Sequence, residues 1–413
     1  MPKTVALITE YNPFHSGHLY HAEMAKNVTG ADYSLAIMSG NFTERGSLSM
    51  ADKSSRAEAA VSSAVDAVLE LPFAFATGSA EDFSYGAIKI LNCLNSIDYL
   101  VFGAECDDLY KMEKLSDYLT NEKAEYKDHL NASLSKGLSF PAAREAAIRK
   151  LLGDEYADIL KSPNNILAIS YMSNLKKANS SIKPVIIKRI GNYHFNDDED
   201  KNAQFSSAEM IRRKISLKED VKDMLPLASY NCLLPYLKYE INDDLLSDLL
   251  YLKILEIKEQ SRIKNFEEIK DSLPVEIDKD IYNKILSIRE FSGFNSCIEE
   301  LVSKNYTYAR IRRGLLHLIL SFDRKKHDLI FNEDRLYATI LAFKKDKSSL
   351  LRIIQEQASI PLINKRADFK TDNKGALISR QLDITASDLY KYLIYKNCKI
   401  KIKNEITQSP III

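Results

Sequence analysis

The sequence predicts an α/β fold, a doubly wound parallel sheet with a largely helical C-terminal region. Three observations predict it. Short apolar runs alternate with segments of helical period up to about residue 191. The first apolar run ends in a Pro- and Gly-punctuated loop that opens a helix. After about Ser216 the strand signal gives way to long Leu/Ile/Lys/Glu segments of helical period.

Taken in order, "VALIT" (Val5–Thr9) reads as a buried strand and "HLYHAEMAKNV" as a helix. Tyr33–Gly40 is the second strand, and "ADKSSRAEAAVSSA" is helical. "AVLELPFAF" follows, then the helical "AEDFSYGAIKILNCL". Asp98–Glu105 is another strand, helices run to about Ala178, and Lys183–Gly191 supplies a late strand. Glu219 to about Asp323 reads as a helical domain. A strand–helix–strand pattern after about residue 330 is expected to form a small α/β unit or to return to the second domain. The expected division is a catalytic domain over 1–216 and a mainly helical region over 217–413.

The chain has 413 residues, room for a large core and two or three domains. It holds 57 Lys+Arg against 57 Asp+Glu, so no overall field points to a polyanion, although a local patch can still bind one. Cys93, Cys106, Cys232, Cys297 and Cys398 are scattered, without a CxxC pair. That argues against zinc and dithiol redox chemistry and for reduced thiols in a cytoplasmic protein. No apolar stretch is long enough for a membrane span, so no membrane partner is expected.

Ligands of such sheets bind at the carboxyl ends of the strands. There lies "EYNPFHSGHLYH" (Glu10–His21). Pro13 stops the ladder, Gly17 permits a tight turn, and a helix begins near Gly17–His18. A helix N-terminus is an anion site. His15 and His18, three apart, both face it and can donate to phosphate oxygens during displacement at phosphorus. Capping or surface histidines are the plainer alternative. H-x-G-H directly after the first strand favours a nucleotide site. No P-loop and no G-x-G-x-x-G follows a strand, and the synthetase "KMSKS" is absent. H-x-G-H belongs to nucleotidyltransferases and class I aminoacyl-tRNA synthetases, so the sheet is expected to be of nucleotidyltransferase (Rossmann-like) type.

"FSSAEMIRRKI" is a second phosphate signal. Ser206, Ser207 and Arg212 open a helix in a pattern similar to the nucleotidyltransferase "SS-T-x-x-R" element, with Ala208 in place of Thr. An ordinary serine cap followed by basic surface residues is the alternative.

"ALITEYNPFHSGHLYH", "MSGNFTERG", "LELPFAFATGSAEDFSYGAI", "FGAE", "SPNNILAISY", "IKRIGNYH" and "YTYARIRRGLLHLIL" follow one another in an order that resembles the bacterial tRNA(Met) cytidine acetate ligase family. The resemblance implies an enzyme that uses ATP with Mg2+, and free acetate rather than acetyl-CoA. Acetate attacks the α-phosphate, pyrophosphate leaves, and the acetyl-adenylate acylates the wobble cytidine of elongator tRNA(Met), giving N(4)-acetylcytidine. It also implies an ATP site over Leu7, Ile8, Thr9, Glu10, Tyr11, Asn12, Pro13, Phe14, His15, Ser16, Gly17, His18, Leu19 and Tyr20. Gly103, Arg189 and an asparagine of "SPNN" complete it, read as Asn165 with Asn164 as the other choice. Ala104 stands where the family has Ser.

Weaker candidates are Asn41, Arg45 and Lys53 after the second strand, and Glu81 and Glu105. A solvated loop and structural carboxylates explain them equally. No metal-ligand set stands out. Arg310, Arg312 and Arg313, interleaved with Tyr306 and Tyr308, and the cluster Lys344, Lys345 and Lys347 are candidate tRNA contacts. Solvated helix faces are the alternative. Two other functions fit the fold: a nucleotidyltransferase adenylating a small phosphorylated cofactor precursor, and a non-catalytic RNA-binding protein.

Overall fold

The computed structural model describes residues 2–121, 123–189, 205–365, 367 and 369–413. Its strands are β1 (Thr4–Thr9), β2 (Tyr33–Ser39), β3 (Ala67–Leu71), β4 (Tyr99–Ala104), β5 (Lys183–Lys188), β6 (Ala338–Phe343), β7 (Leu362–Ile363) and β8 (Ile411–Ile412). They form one sheet in the order β5-β4-β1-β2-β3-β6-β7, with β8 also beside β6. The first five strands are parallel.

Successive side chains of a strand point to opposite faces, and here both faces are covered. Ala6, Leu35, Ile37, Leu69, Leu100 and Phe102 enter one apolar core. Their neighbours Val5, Leu7, Ala36, Met38, Val68 and Val101 enter another. Hence the near-continuous apolar runs in the sequence, and hence the expected double winding.

The chain runs from β1 through β2 to β3, then returns to place β4 on the other side of β1. Strand order therefore reverses at β1/β4, where α/β sheets open a ligand crevice. The helices that matter there are α1 (Ser16–Thr29), α2 (Lys53–Ser63), α3 (Ala80–Leu94), α4 (Pro163–Lys177) and α5 (Ala208–Ser216). Beyond them come α6 (Tyr308–Ile319) and α7 (Lys374–Cys398). Gly30, at φ +60°, closes α1 in the left-handed conformation.

Residues 208–331 contain helices and no named strand, as the change in pattern after Ser216 predicts. The tail's strand–helix–strand adds to the first sheet. β6 pairs antiparallel with β3, Val68 opposite Ala342 and Glu70 opposite Thr339. β7 and β8 then flank β6. Without β6, the apolar β3 would be an open sheet edge. The late strand ends at Lys188, and Ile190 and Gly191 of the expected range lie outside the described residues.

Candidate active site

β1 ends at Thr9, and the next residues turn through a cis Asn12–Pro13 bond into α1. Tyr11 and Phe14 are buried beneath the loop, with Leu7 in the same core. They form its floor, while His15 and His18 face each other above it. The imidazoles stack, with centroids 3.8 Å apart and planes at 30°. His15 caps α1: its Nδ1 accepts from the Gly17 amide at 3.0 Å, and its own amide donates to His18 Nδ1 at 3.4 Å. Gly17 is needed for close approach, because a Cβ there would lie 2.9 Å from His15 Cε1.

These bonds fix the tautomers. Each Nδ1 accepts, so each neutral ring carries its proton on Nε2. Burial lowers the His15 pKa to about 4, with Arg189 and Arg212 adding to the effect. Burial also holds His18 well below its ordinary value, aided by His15, His21 and Arg189 and opposed by a hydrogen bond to the Pro13 backbone. At neutral pH the pair is therefore two uncharged donors beside two arginines. One expectation is altered. The Gly17 amide bonds the His15 ring, and the His18 amide bonds the His15 carbonyl at 2.8 Å. These two helix amides are therefore engaged within the loop itself.

Across the crevice, the Arg189 amide continues the ladder by donating to the Ala104 carbonyl at 2.9 Å. Its side chain crosses the end of β4, where a Cβ on Gly103 would lie 3.2 Å from Arg189 Cγ. Gly103 is thus the residue that lets the cation lie flat. Arg189 Nε is 3.7 Å from Glu105 Oε1, which also accepts from Asn164 Nδ2 at 2.6 Å. Asn165 has a different task. Its Oδ1 accepts the Glu105 and Cys106 amides, each at 3.0 Å, and its Nδ2 donates to the Ile159 carbonyl at 3.0 Å. It braces the loop after β4, with Asn164 beside the charged pair.

The "FSSAEMIRRKI" element comes to the same place. Ser207 caps α5, its Oγ accepting from the Met210 amide at 3.1 Å. Ser206 directly precedes that cap. One turn later, Arg212 Nη1 donates to the Asn12 carbonyl at 2.6 Å. The Phe205 ring sits 5.4 Å from that of Tyr20. Two motifs some 200 positions apart thus share one loop.

The HIGH Nucleotidyl Transferase family matches residues 2–405. The tRNA(Met) cytidine acetate ligase of Clostridium perfringens is 36% identical, covering 98% of both chains. That of Caldanaerobacter subterraneus is 37% identical, covering 96% of this chain and 97% of its own. The chain belongs to the tRNA(Met) cytidine acetate ligase family. A crystal structure of Thermotoga maritima TmcAL bound with alpha-thio ATP superposes with a TM-score of 0.87 at 27% identity, covering 100% of this chain and 99% of that one. Its apo form gives 0.89 at the same identity and coverage.

Sequence reasoning overlooked Arg56, and it left open what Glu10, Lys53, Asn41 and Glu81 do in this ligase-family chain. Arg56 is 1% exposed and donates to the carbonyls of Glu10, Ser39 and Gly40, binding the exits of β1 and β2 together. Glu10 Oε1 accepts the Glu44 amide at 2.6 Å. Lys53 is buried between Glu70 (2.5 Å) and Glu405 (2.9 Å), so its charge is neutralised inside the protein, away from the crevice. Asn41 Oδ1 accepts the Lys53 amide at 2.7 Å and is structural. Glu81 lies on the surface, 3.3 Å from Lys177.

The basic cluster of α6 is more engaged than its sequence suggests. Arg310 Nη2 is 2.9 Å from Asp278 Oδ2, and Arg312 Nε is 3.3 Å from Asp243 Oδ2. Arg313 Nη1 is 3.4 Å from Glu44 Oε1. Arg310 and Arg312 lie over the rings of Tyr306 and Tyr308. In the other cluster, Lys344 is 3.5 Å from buried Asp66. No helix among the described residues is long and apolar enough to cross a membrane.

Proposed function

We propose that the chain activates acetate with ATP and transfers the acetyl group to the wobble cytidine of elongator tRNA(Met). The observation that carries this reading is the stacked, uncharged His15–His18 pair at the strand-order reversal, with Arg189 and Arg212 beside it. Acetate is a poor acyl donor because its carboxylate is anionic. Its oxygen attacks the α-phosphorus of ATP and expels pyrophosphate, which converts that oxygen into part of a good leaving group.

The chain's residues fit the first step. The Nε2–H groups of His15 and His18 donate to the α-phosphate oxygens, whose charge grows at the pentacoordinate centre. Arg189 and Arg212 draw in the triphosphate and balance the departing pyrophosphate. Glu10 to Tyr20 and Gly103 shape the nucleotide cradle, and Asn165 acts by holding the loop after β4. Among the described residues, no group of three or more His, Cys, Asp or Glu side chains is spaced to hold a metal ion. Magnesium enters the proposal as part of the MgATP substrate. Free acetate, not acetyl-CoA, is the acyl source.

The helices between residues 217 and 331 are the tRNA platform in this reading, since the strands after them join the catalytic sheet, and the enzyme works in the cytoplasm. Arg310, partly exposed beside Tyr306, is the best placed of the three arginines for a phosphate, with Arg312 and Arg313 bracing the face. The deciding experiment is incubation with MgATP, labelled acetate and total bacterial tRNA, followed by nucleoside analysis. Label in N(4)-acetylcytidine supports the proposal. Label dependent on acetyl-CoA, or its absence from tRNA, contradicts it.

A further inference from the structure

Two carboxylates meet where β1 and β2 end. Glu10 Oε1 accepts the Glu44 amide at 2.6 Å, which pins the loop carrying Glu44 beside the H-x-G-H segment. From the helical region, Arg313 Nη1 approaches Glu44 Oε1 at 3.4 Å and the Glu44 carbonyl at 3.5 Å. Arg45 on the same loop, Asp82 in the first turn of α3 and Tyr171 on α4 complete the titratable groups acting on this carboxylate. Gly46, at φ +76°, passes so close to α6 that a Cβ would lie 3.0 Å from Arg313 Cα. Glu44 is therefore held at the seam between the nucleotide-binding sheet and the helical region. The adenylation step makes no use of it.

We propose that Glu44 is the base that accepts the amine proton during acetyl transfer, with Glu10 and Arg313 positioning it. This rests on the reaction assigned above. The cytidine N4 lone pair adds to the acetyl carbonyl carbon, and a C–N bond forms. The C–O bond to the phosphate breaks, and AMP leaves with that electron pair. The N4 proton passes to the Glu44 carboxylate and then to solvent.

The chemistry calls for such a group. The N4 lone pair is conjugated with the ring, so its proton must leave as the new bond forms. An ordinary surface glutamate is too weak a base to help much. Burial pushes Glu44 up to about 7, with Glu10 and Asp82 adding to it and Arg313 and Arg45 opposing. The alternatives are less suited. His15 and His18 each have Nδ1 bonded to a backbone amide and the proton on Nε2, leaving no available lone pair. Glu105 Oε1 is engaged by Asn164 and by Arg189, the cation assigned to the triphosphate in the first step, which leaves Glu105 on the adenylation side of the reaction.

The test uses the full-length enzyme and separates the two steps. Acetate-dependent ATP–pyrophosphate exchange reports adenylation. Single-turnover transfer from preformed acetyl-adenylate to saturating tRNA(Met), across pH, reports the second step. Glu44→Gln should leave exchange within about twofold, slow transfer on the order of a hundredfold, and abolish the rise of transfer rate centred near pH 7. Unchanged transfer, a retained rise, or equal slowing of both steps overturns the proposal. Should that variant fail to fold, Arg313→Gln decides. Removing the cation must move the midpoint of the rise upward, and an unmoved midpoint overturns the proposal. Loss of exchange in the wild type would instead refute the reaction on which it rests.

Discussion

Arg212 donates to the carbonyl of Asn12 at 2.6 Å, across 200 positions of sequence. The bond fixes the guanidinium at the edge of the H-x-G-H loop, where it also disfavours a positive charge on His15. In the proposed reading the guanidinium held there also meets the triphosphate, and a charge-assisted hydrogen bond of that kind contributes roughly 1.5–3 kcal/mol. Arg212→Ala should therefore weaken ATP binding by a factor on the order of ten or more. Isothermal titration with ATP checks this, and Arg212→Lys should recover only part of the loss because the planar fork is gone.

The histidines make two expectations. Each Ala variant should slow acetyl-adenylate formation on the order of a hundredfold, with ATP affinity falling much less, since donation strengthens in the transition state. Near-normal adenylation in both variants would remove the pair from the mechanism. The pH dependence has a definite sign. The His15 pKa is lowered to about 4 in the fold against about 6.5 unfolded, so the unfolded chain binds protons first. The resulting stability is complete above about pH 6.5 and is lost as pH falls toward 4. His15→Gln should flatten the fall in melting temperature across that window.

A fragment ending near Lys218 retains the proposed ATP contacts but loses the partner of β3 and the acid that shares Lys53. β6 closes the sheet edge, and Glu405 lies 2.9 Å from Lys53 Nζ. Tyr390 on α7 also donates to the Ser49 carbonyl at 2.9 Å. The fragment should aggregate or lack a cooperative thermal transition. A soluble, cooperatively melting fragment that forms acetyl-adenylate would show that the sheet stands without its tail.

These same contacts mark the limit of what the sequence reveals. The H-x-G-H loop is legible because its strand, turn and helix are neighbours in the chain. The meeting of Arg212 with Asn12 follows only from the motif's known pairing. The antiparallel docking of β6 has no local signature, since its apolar run fits any sheet position. Lys53 and Arg56 look like surface residues on an Ala/Ser-rich helix. Their burial depends on Glu405 and on the carbonyls of Glu10, Ser39 and Gly40, which composition cannot bring together. The α6 arginines resemble an RNA patch for the same reason, because their acidic partners lie far off in sequence.

Those partners set the outcome for Arg310, Arg312 and Arg313. Arg310 is a half-exposed ion pair, a class contributing roughly 0–1 kcal/mol. Arg312 faces Asp243, whose Oδ1 also accepts the Leu48 amide at 2.9 Å. Arg312→Gln should thus lower the melting temperature more than Arg310→Gln. Arg310→Gln should instead weaken tRNA binding and reduce the slope of affinity against salt, as fewer counterions are released. Thermal melts and salt-dependent tRNA affinity on both variants separate bracing from phosphate contact.

The central claim is that acetate attacks the α-phosphorus beside His15 and His18. It is tested most directly by supplying acetate labelled with oxygen-18, MgATP and tRNA(Met), then analysing the nucleotide products by mass spectrometry. Attack at the α-phosphorus leaves one acetate oxygen on AMP after acetyl transfer and none on pyrophosphate. Unlabelled AMP, or ADP with labelled inorganic phosphate, would contradict the account.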